Sequence, residues 1–236
     1  MKDYFLTPTD YETIIHFTSD IITIKENLRS SIQHKLDEYF GYSHTIFWQA
    51  DEQGNLSNPI NYLLNDAALH NYLDEYYTHD LLHPTKNLHL FKQNKALRLI
   101  DVLPHHLVEE SIFYTEFLKR FHLHDEMVIA LFHQHSFVGV LGMARENTRN
   151  KFSLKDQKIL NLLSDIIAST LLHENKNDFN QLTERELEIA KLVKSGWSNQ
   201  KIANQLYISV NTVKKHLQSI YRKCDVQNKI QLVQKF

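Results

Sequence analysis

Close to the C-terminus, one segment spaces amide and cationic side chains so that they share a helix face. At about 100° per residue, Val213, His216, Leu217, Ile220 and Cys224 align as one apolar stripe. Asn211, Lys214, Lys215, Gln218 and Arg222 fall on the opposite face. Lysine can donate to guanine N7 and O6, and glutamine can pair with adenine N6 and N7, so such a face suits the major groove of duplex DNA. Ser209 and Thr212 stand where the helix begins, and hydroxyls, free amides and the helix dipole favour phosphate there. Lys201 adds a cation one helix earlier. By charge alone, a solvated basic face on a packing helix explains the pattern at least as well, so the surrounding elements must decide.

Upstream, Trp48, Tyr62, Tyr72, Tyr76, Tyr77, Phe113, Tyr114 and Phe117 offer aromatic faces around one carboxylate, Asp80. Small-molecule sites are mainly apolar with a few polar groups, so this set is a candidate ligand pocket; read as core packing, the same rings need no ligand. Fourteen of the fifteen histidines precede residue 174. His122 with His124, and His133 with His135, would each project from one strand face, where imidazoles can share a metal. No Asp, Glu or Cys completes either pair, so no metal site and no cofactor is assigned. A metal- or haem-dependent sensor or enzyme built on this histidine-rich region is the competing reading. LIDVLP, with Asp101, looks like the phosphoacceptor strand of receiver domains, but it lies too deep in the chain and no acidic pair precedes it. There is no phosphate-cradling glycine loop, nucleophile elbow, metalloprotease helix or Cys–His pairing, so no catalytic residue is expected.

The chain has 236 residues, 42% hydrophobic and 23% charged, which is ordinary globular usage on a length that suits two domains. Its formal charge of −2 conceals a division. Residues 181–236 hold ten Lys/Arg and four Asp/Glu, a formal +6; residues 1–180 hold sixteen and twenty-four, a formal −8. A basic tail behind an acidic body points to nucleic acid as the partner of the tail. A single cysteine, Cys224, excludes a disulfide scaffold and suits a reducing cytoplasm. Apolar runs of only a few residues predict no membrane span, and the acidic start MKDYFLTPTDYE predicts no signal peptide.

The elements that would hold these residues follow from periodicity. The polar, Asn-rich stretch Glu174 to Gln181 predicts a boundary, with domains over 1–175 and 182–236 and a linker at 176–181. In the first domain, helices are expected over Ile21–Phe40, Asn65–Thr78 and Ser111–Phe121. Thr45–Ala50 reads as a strand before the turn DEQGN, and Ala96–Leu103 as another. Glu126–Ala144 reads as a hairpin, and Ser153 caps a long helix carrying Ile159, Leu163, Ile166 and Ile167. The class is α+β, an antiparallel sheet with flanking helices. The second domain reads as four helices. Thr183 and Glu186 form a capping box on the first, which runs to about Lys194 and stops at Gly196. Ser198 caps the second through Leu206, Ser209 caps the third to about Cys224, and the fourth spans Gln227–Lys235. The second and third are separated as in a helix-turn-helix.

The stretch LTERELEIAKLVKSGWSNQKIANQLYISVNTVKKHLQSIYRKCDVQNK closely resembles the DNA-binding domain of LuxR-type (NarL/FixJ-like) transcriptional regulators. The likeness includes Thr183, Glu186, Gly196, Ser198, Ile202, Ala203, Ser209, Thr212, Val213, Lys214, His216, Leu217 and Ile220. It implies that Lys214, Lys215 and Gln218 face bases and Thr212 faces phosphate. Three positions depart from the pattern: Lys201 stands where an acid is usual, and Cys224-Asp225 replaces Leu-Gly. FVGVLGMAR followed by FSLKDQKILNLLSDIIASTL resembles the closing hairpin and last helix of GAF domains. The spacing of Tyr72 and Asp80 resembles a Tyr–Asp pair of acyl-homoserine-lactone receptors, without their tryptophan pattern or Asp-Pro pair. Together these resemblances imply a cytoplasmic bacterial transcription regulator, a homodimer on double-stranded DNA, with a GAF-like sensor for a small molecule or partner and no membrane association.

Overall fold

In a computed structural model the chain forms two compact units, residues 1–170 and 171–236. The structure describes residues 5–24, 27–51, 53–134, 136–146, 151–180, 182–224 and 226–235.

The first unit is built on a five-stranded antiparallel sheet in the order β2-β1-β5-β4-β3. The strands are β1 (Thr45–Ala50), β2 (Leu56–Tyr62), β3 (Ala96–Arg98), β4 (Asp125–His133) and β5 (Ser136–Arg145). The alternation of a pleated strand sorts β4 into two faces. Val128 and Ala130 join Trp48, Val140 and Ala144 in one cluster, while Met127, Ile129 and Leu131 are buried on the other face. A sheet buried on both sides explains why both runs of the hairpin are almost continuously apolar. Gly139 is required where β1 and β5 meet, because a Cβ there would lie 2.5 Å from the Trp48 carbonyl oxygen.

The flanking elements differ from the sequence expectation in instructive ways. The helix expected over Ile21–Phe40 begins only at Leu28, as α2 (Leu28–Phe40), with Asn27 left-handed at φ 52° before it, and a helix not expected, α1 (Pro8–Ile21), precedes it. Thr7 and Asp10 form a capping box and Pro8 opens α1, a start signal legible in the sequence. β2 was not expected, since it is polar and contains Pro59; it lies at the sheet edge, where proline forfeits no ladder bond. Gln33 of α2 fastens this edge by donating to the Thr45 carbonyl (3.1 Å) and the Ile60 carbonyl (3.0 Å). The expected strand Ala96–Leu103 ends at Arg98 and becomes the short helix α5 (Leu99–Val102). Asp101 turns the chain there by accepting from the Arg98 backbone (2.8 Å), the Arg98 guanidinium and Gln157. That side chain is committed to structure.

The helix expected over Asn65–Thr78 is α3 (Asp66–Asn71) continuing as a π-helical turn, Tyr72–Tyr76. α4 (Pro84–Phe91) follows. The helix expected over Ser111–Phe121 is α6 (His105–Glu110), a break at Ser111, a second π turn (Phe113–Leu118) and a 3₁₀ turn (Lys119–Phe121). Both π turns coincide with aromatic-rich runs, where packing rather than propensity sets the winding. His122 is left-handed at φ 59° and His124 precedes β4, so this pair does not share a strand face; His135 lies outside the described residues. Among the described residues no group of His, Cys, Asp or Glu is arranged to hold a metal ion.

Ser153 and Asp156 cap the long helix α7 (Leu154–Asn180) reciprocally, with Ser153 N to Asp156 Oδ2 at 2.7 Å. Its backbone is helical as far as Asn180, inside the polar stretch read as a linker. That stretch holds no Gly or Pro, and extending a formed helix through polar residues costs little. Among the described residues, no helix is long and apolar enough to cross a membrane.

The second unit has the four expected helices: α8 (Glu184–Lys194), α9 (Asn199–Gln205), α10 (Val210–Lys223) and α11 (Lys229–Lys235). Thr183, Ser198 and Ser209 cap the first three, each accepting from the backbone amide three residues on. Gly196 ends α8 in the left-handed region, φ 79°, a conformation glycine adopts without steric cost. Ile189, Val193, Ile202, Ala203, Val213, Leu217, Ile220, Cys224 and Leu232 form the core.

Candidate functional site

Two sites emerge, one in each unit. In the C-terminal unit α9 ends at Gln205 with Leu206 as its cap, Tyr207 takes a left-handed conformation at φ 54°, and Ile208 N donates to the Ala203 carbonyl at 3.0 Å. Arg185 braces this turn from α8 by donating to the Leu206 carbonyl at 2.8 Å. The turn therefore delivers Ser209 to the start of α10, where its Oγ accepts from Thr212 N (3.0 Å) and contacts Thr212 Oγ1 (2.8 Å).

On α10, Val213, Leu217 and Ile220 are buried with Cys224 just beyond, while Asn211, Lys214, Lys215, Gln218 and Arg222 are exposed. His216 is half-buried, at the margin of the apolar stripe, and so is Thr212. Lys214 and Lys215 form no ion pair among the described residues, so their charges project into solvent. Lys201 is exposed on α9, but its ammonium lies over the Trp197 ring, 4.0 Å from the centroid. It adds charge beside the turn while already held by a cation–π contact. Sequence reasoning did not single out Tyr207, whose ring is almost fully exposed at the turn. Asp225, one of the two departures at the α10–α11 junction, lies outside the described residues; Cys224 packs in the core.

In the N-terminal unit part of the aromatic cluster borders a cavity of about 50 Å³, as traced by the centre of a water molecule. One water takes about 10–15 Å³ on that measure, so the space suits several waters or a ligand of a few heavy atoms. Of the nine residues proposed from the sequence, Trp48, Tyr72, Asp80 and Phe117 line it. Tyr76 and Phe113 stack on Phe117 (centroids 5.4 and 5.3 Å), and Tyr77 packs edge-on to Tyr72 at 6.0 Å. With buried Tyr114, these support the wall from behind. Tyr62 faces elsewhere: its hydroxyl donates to Asp37 at 2.9 Å and its ring meets His34.

The residue missed in the sequence is Glu126. It opens the apolar run of β4 and lies on the pocket face with Val128, opposite Ala144 across the hairpin. A lone acid in phase with Val128 and Ala130 was the available signal. Asp80 is buried; Tyr72 Oη donates to its Oδ2 (2.8 Å) and Leu82 N to its Oδ1 (2.7 Å). Burial pushes the Asp80 carboxyl up to about 6 despite those bonds. Burial, followed by the nearby Asp80 and Asp125 carboxylates, also raises Glu126 well above the usual range. Burial and the Asp80 charge raise the Tyr72 phenol too, so it stays a donor.

Comparison with known proteins places both units. The family model for bacterial regulatory proteins of the luxR family matches residues 180–236, and the GAF domain model matches residues 27–171. A monoamine regulon transcriptional regulator from Klebsiella aerogenes is 26% identical over 188 residues, 80% of this chain and 81% of that protein. The response regulator protein VraR of Staphylococcus aureus is 46% identical over 55 residues, 23% of this chain and 26% of that protein. In fold, the chain resembles SdiA in complex with octanoyl-rac-glycerol, with a TM-score of 0.51 and 17% identity, covering 98% of this chain and 96% of that one.

Proposed function

We propose that this chain, which belongs to the GAF-domain family and ends in a bacterial regulatory domain of the luxR family, reads duplex DNA with α10 and answers to a small molecule held in its N-terminal pocket. It is a LuxR-family transcription regulator with a GAF domain. The observation that carries the DNA reading is the division of α10 into a buried apolar stripe and an exposed row of Lys214, Lys215 and Gln218. In this reading the row faces base edges in the major groove. Ser209, Asn211 and Thr212 meet phosphate at the helix start, and Arg222 and Lys201 add backbone contacts. The sensor spans 1–175 and the DNA reader 182–236. A homodimer would present two copies of α10 to an inverted repeat, and ligand would act by shifting the population of the DNA-competent form. The sequence relatives reported above are named as regulators, which supports a cytoplasmic role in transcription without a catalytic step.

Residues 178–236 alone are expected to bind duplex weakly, and fluorescence anisotropy checks this. Each phosphate contact should make binding about threefold weaker between about 50 and 200 mM salt, through counterion release. Absent or salt-insensitive binding would overturn the DNA reading.

A further inference from the structure

Two acids from distant parts of the chain, Asp80 and Glu126, line one cavity whose other walls include Trp48, Tyr72 and Phe117. No Lys or Arg is among the lining residues. Asp80 is satisfied by the Tyr72 hydroxyl and the backbone amides of Leu82 and His83. Glu126 is half-buried as a residue, but its Oε2 is out of solvent with no hydrogen-bond partner. A carboxyl oxygen removed from water and left unpaired is costly. The pocket thus holds more acceptors than donors.

The geometry points to a small organic ammonium, a primary amine on a short apolar tail, as the ligand class of this pocket, bound between Asp80 and Glu126. The inference rests on the reading of this cavity as the ligand site. An ammonium brings three donors and a positive charge, and aromatic faces such as Trp48 and Tyr72 attract cations. A neutral alcohol or amide brings fewer donors and no charge, and an anion is repelled. Nearby cations do not fill the role. Lys86 donates to the Thr78 and Asp80 carbonyls, and His44, on the cavity wall, is held by Glu146 (3.0 Å) and Ser43 (3.1 Å). Mutual repulsion favours one shared negative charge on the two acids, which one ammonium neutralises.

Calorimetric titration of the full chain with propylammonium chloride, 1-propanol and sodium propionate tests this at about pH 7.5, where the amine is charged. Propylammonium should bind at least about tenfold tighter than propanol, a difference of about 1.4 kcal/mol, and propionate should not bind. Glu126→Gln should remove most of that preference. Equal affinity for amine and alcohol would overturn the ammonium class and leave the ligand site standing. Silence from all three probes would overturn both. The wild-type comparison decides the class even if the variant fails to fold.

Discussion

The double variant Lys214→Ala, Lys215→Ala is expected to lose sequence-specific duplex binding while the C-terminal unit keeps its fold. A good base-edge contact discriminates by about 1–3 kcal/mol, so losing two should cost roughly 30-fold to 10⁴-fold in specific affinity. The fold should survive because both side chains are exposed, opposite Val213, Leu217 and Ile220, and alanine is the best helix former. Anisotropy against specific and random duplexes, with circular dichroism on the same samples, separates the two effects. Wild-type affinity in the double variant would end the assignment of this face. Residual binding should be weak and independent of sequence, carried by phosphate contacts at the start of α10.

The second large effect is structural and lies at Glu186. Its Oε2 accepts from Thr183 N (2.8 Å) at the start of α8 and from Lys223 Nζ (2.6 Å) at the end of α10. One carboxylate therefore caps α8 and ties it to the helix that reads DNA. Glu186→Ala is expected to destabilise the unit by about 2 kcal/mol, since it removes the carboxylate of the α8 capping box and the partner of the half-buried Lys223 ammonium. Burial works against the ionised form, but hydrogen bonds from Lys223, Ser219 and Thr183 prevail and hold the carboxyl at about 2, against 4.5 in the unfolded chain. A depressed folded value gives stability that is present above about pH 4.5 and fades as the pH falls toward 2. Urea titrations of residues 171–236 across that range should show this slope in the wild type and lose it in Glu186→Gln. An unchanged midpoint in Glu186→Ala, or an unchanged slope in Glu186→Gln, would refute the role given to this carboxylate.

How much of this was legible in the sequence differs between the two units. In the C-terminal unit, local chemistry and tertiary structure agree at each step. Thr183, Ser198 and Ser209 are helix caps in any context that lets a helix form, and Gly196 is the residue best suited to a left-handed stop. The face of α10 follows because its period alone separates Lys214 from Val213. In the N-terminal unit, agreement holds where the pattern is dense, at β1 and the β4–β5 hairpin. It fails where packing overrides propensity. Tyr72–Tyr76 and Phe113–Leu118 wind as π turns to seat large rings, and β2 forms at an edge although its composition argues against a strand.

The pocket shows the same limit. Nine residues were grouped by type, and four of them line the cavity; no local rule separates Tyr72, which lines it, from Tyr76, which stacks one layer behind. Glu126 was invisible as a partner of Asp80 because the two lie 46 positions apart, and only the pairing of β4 within the sheet turns both toward one space. The split of charge into an acidic body and a basic tail, the helix caps and the composition of the α10 face were determined by the sequence alone, because the first is a sum over residue types and the others depend on neighbours within one or two helical turns. Which acids share a cavity, which aromatic rings form its wall and which carboxylate joins α8 to α10 were decided by the tertiary structure, because those relations arise only when distant segments are packed together and removed from water.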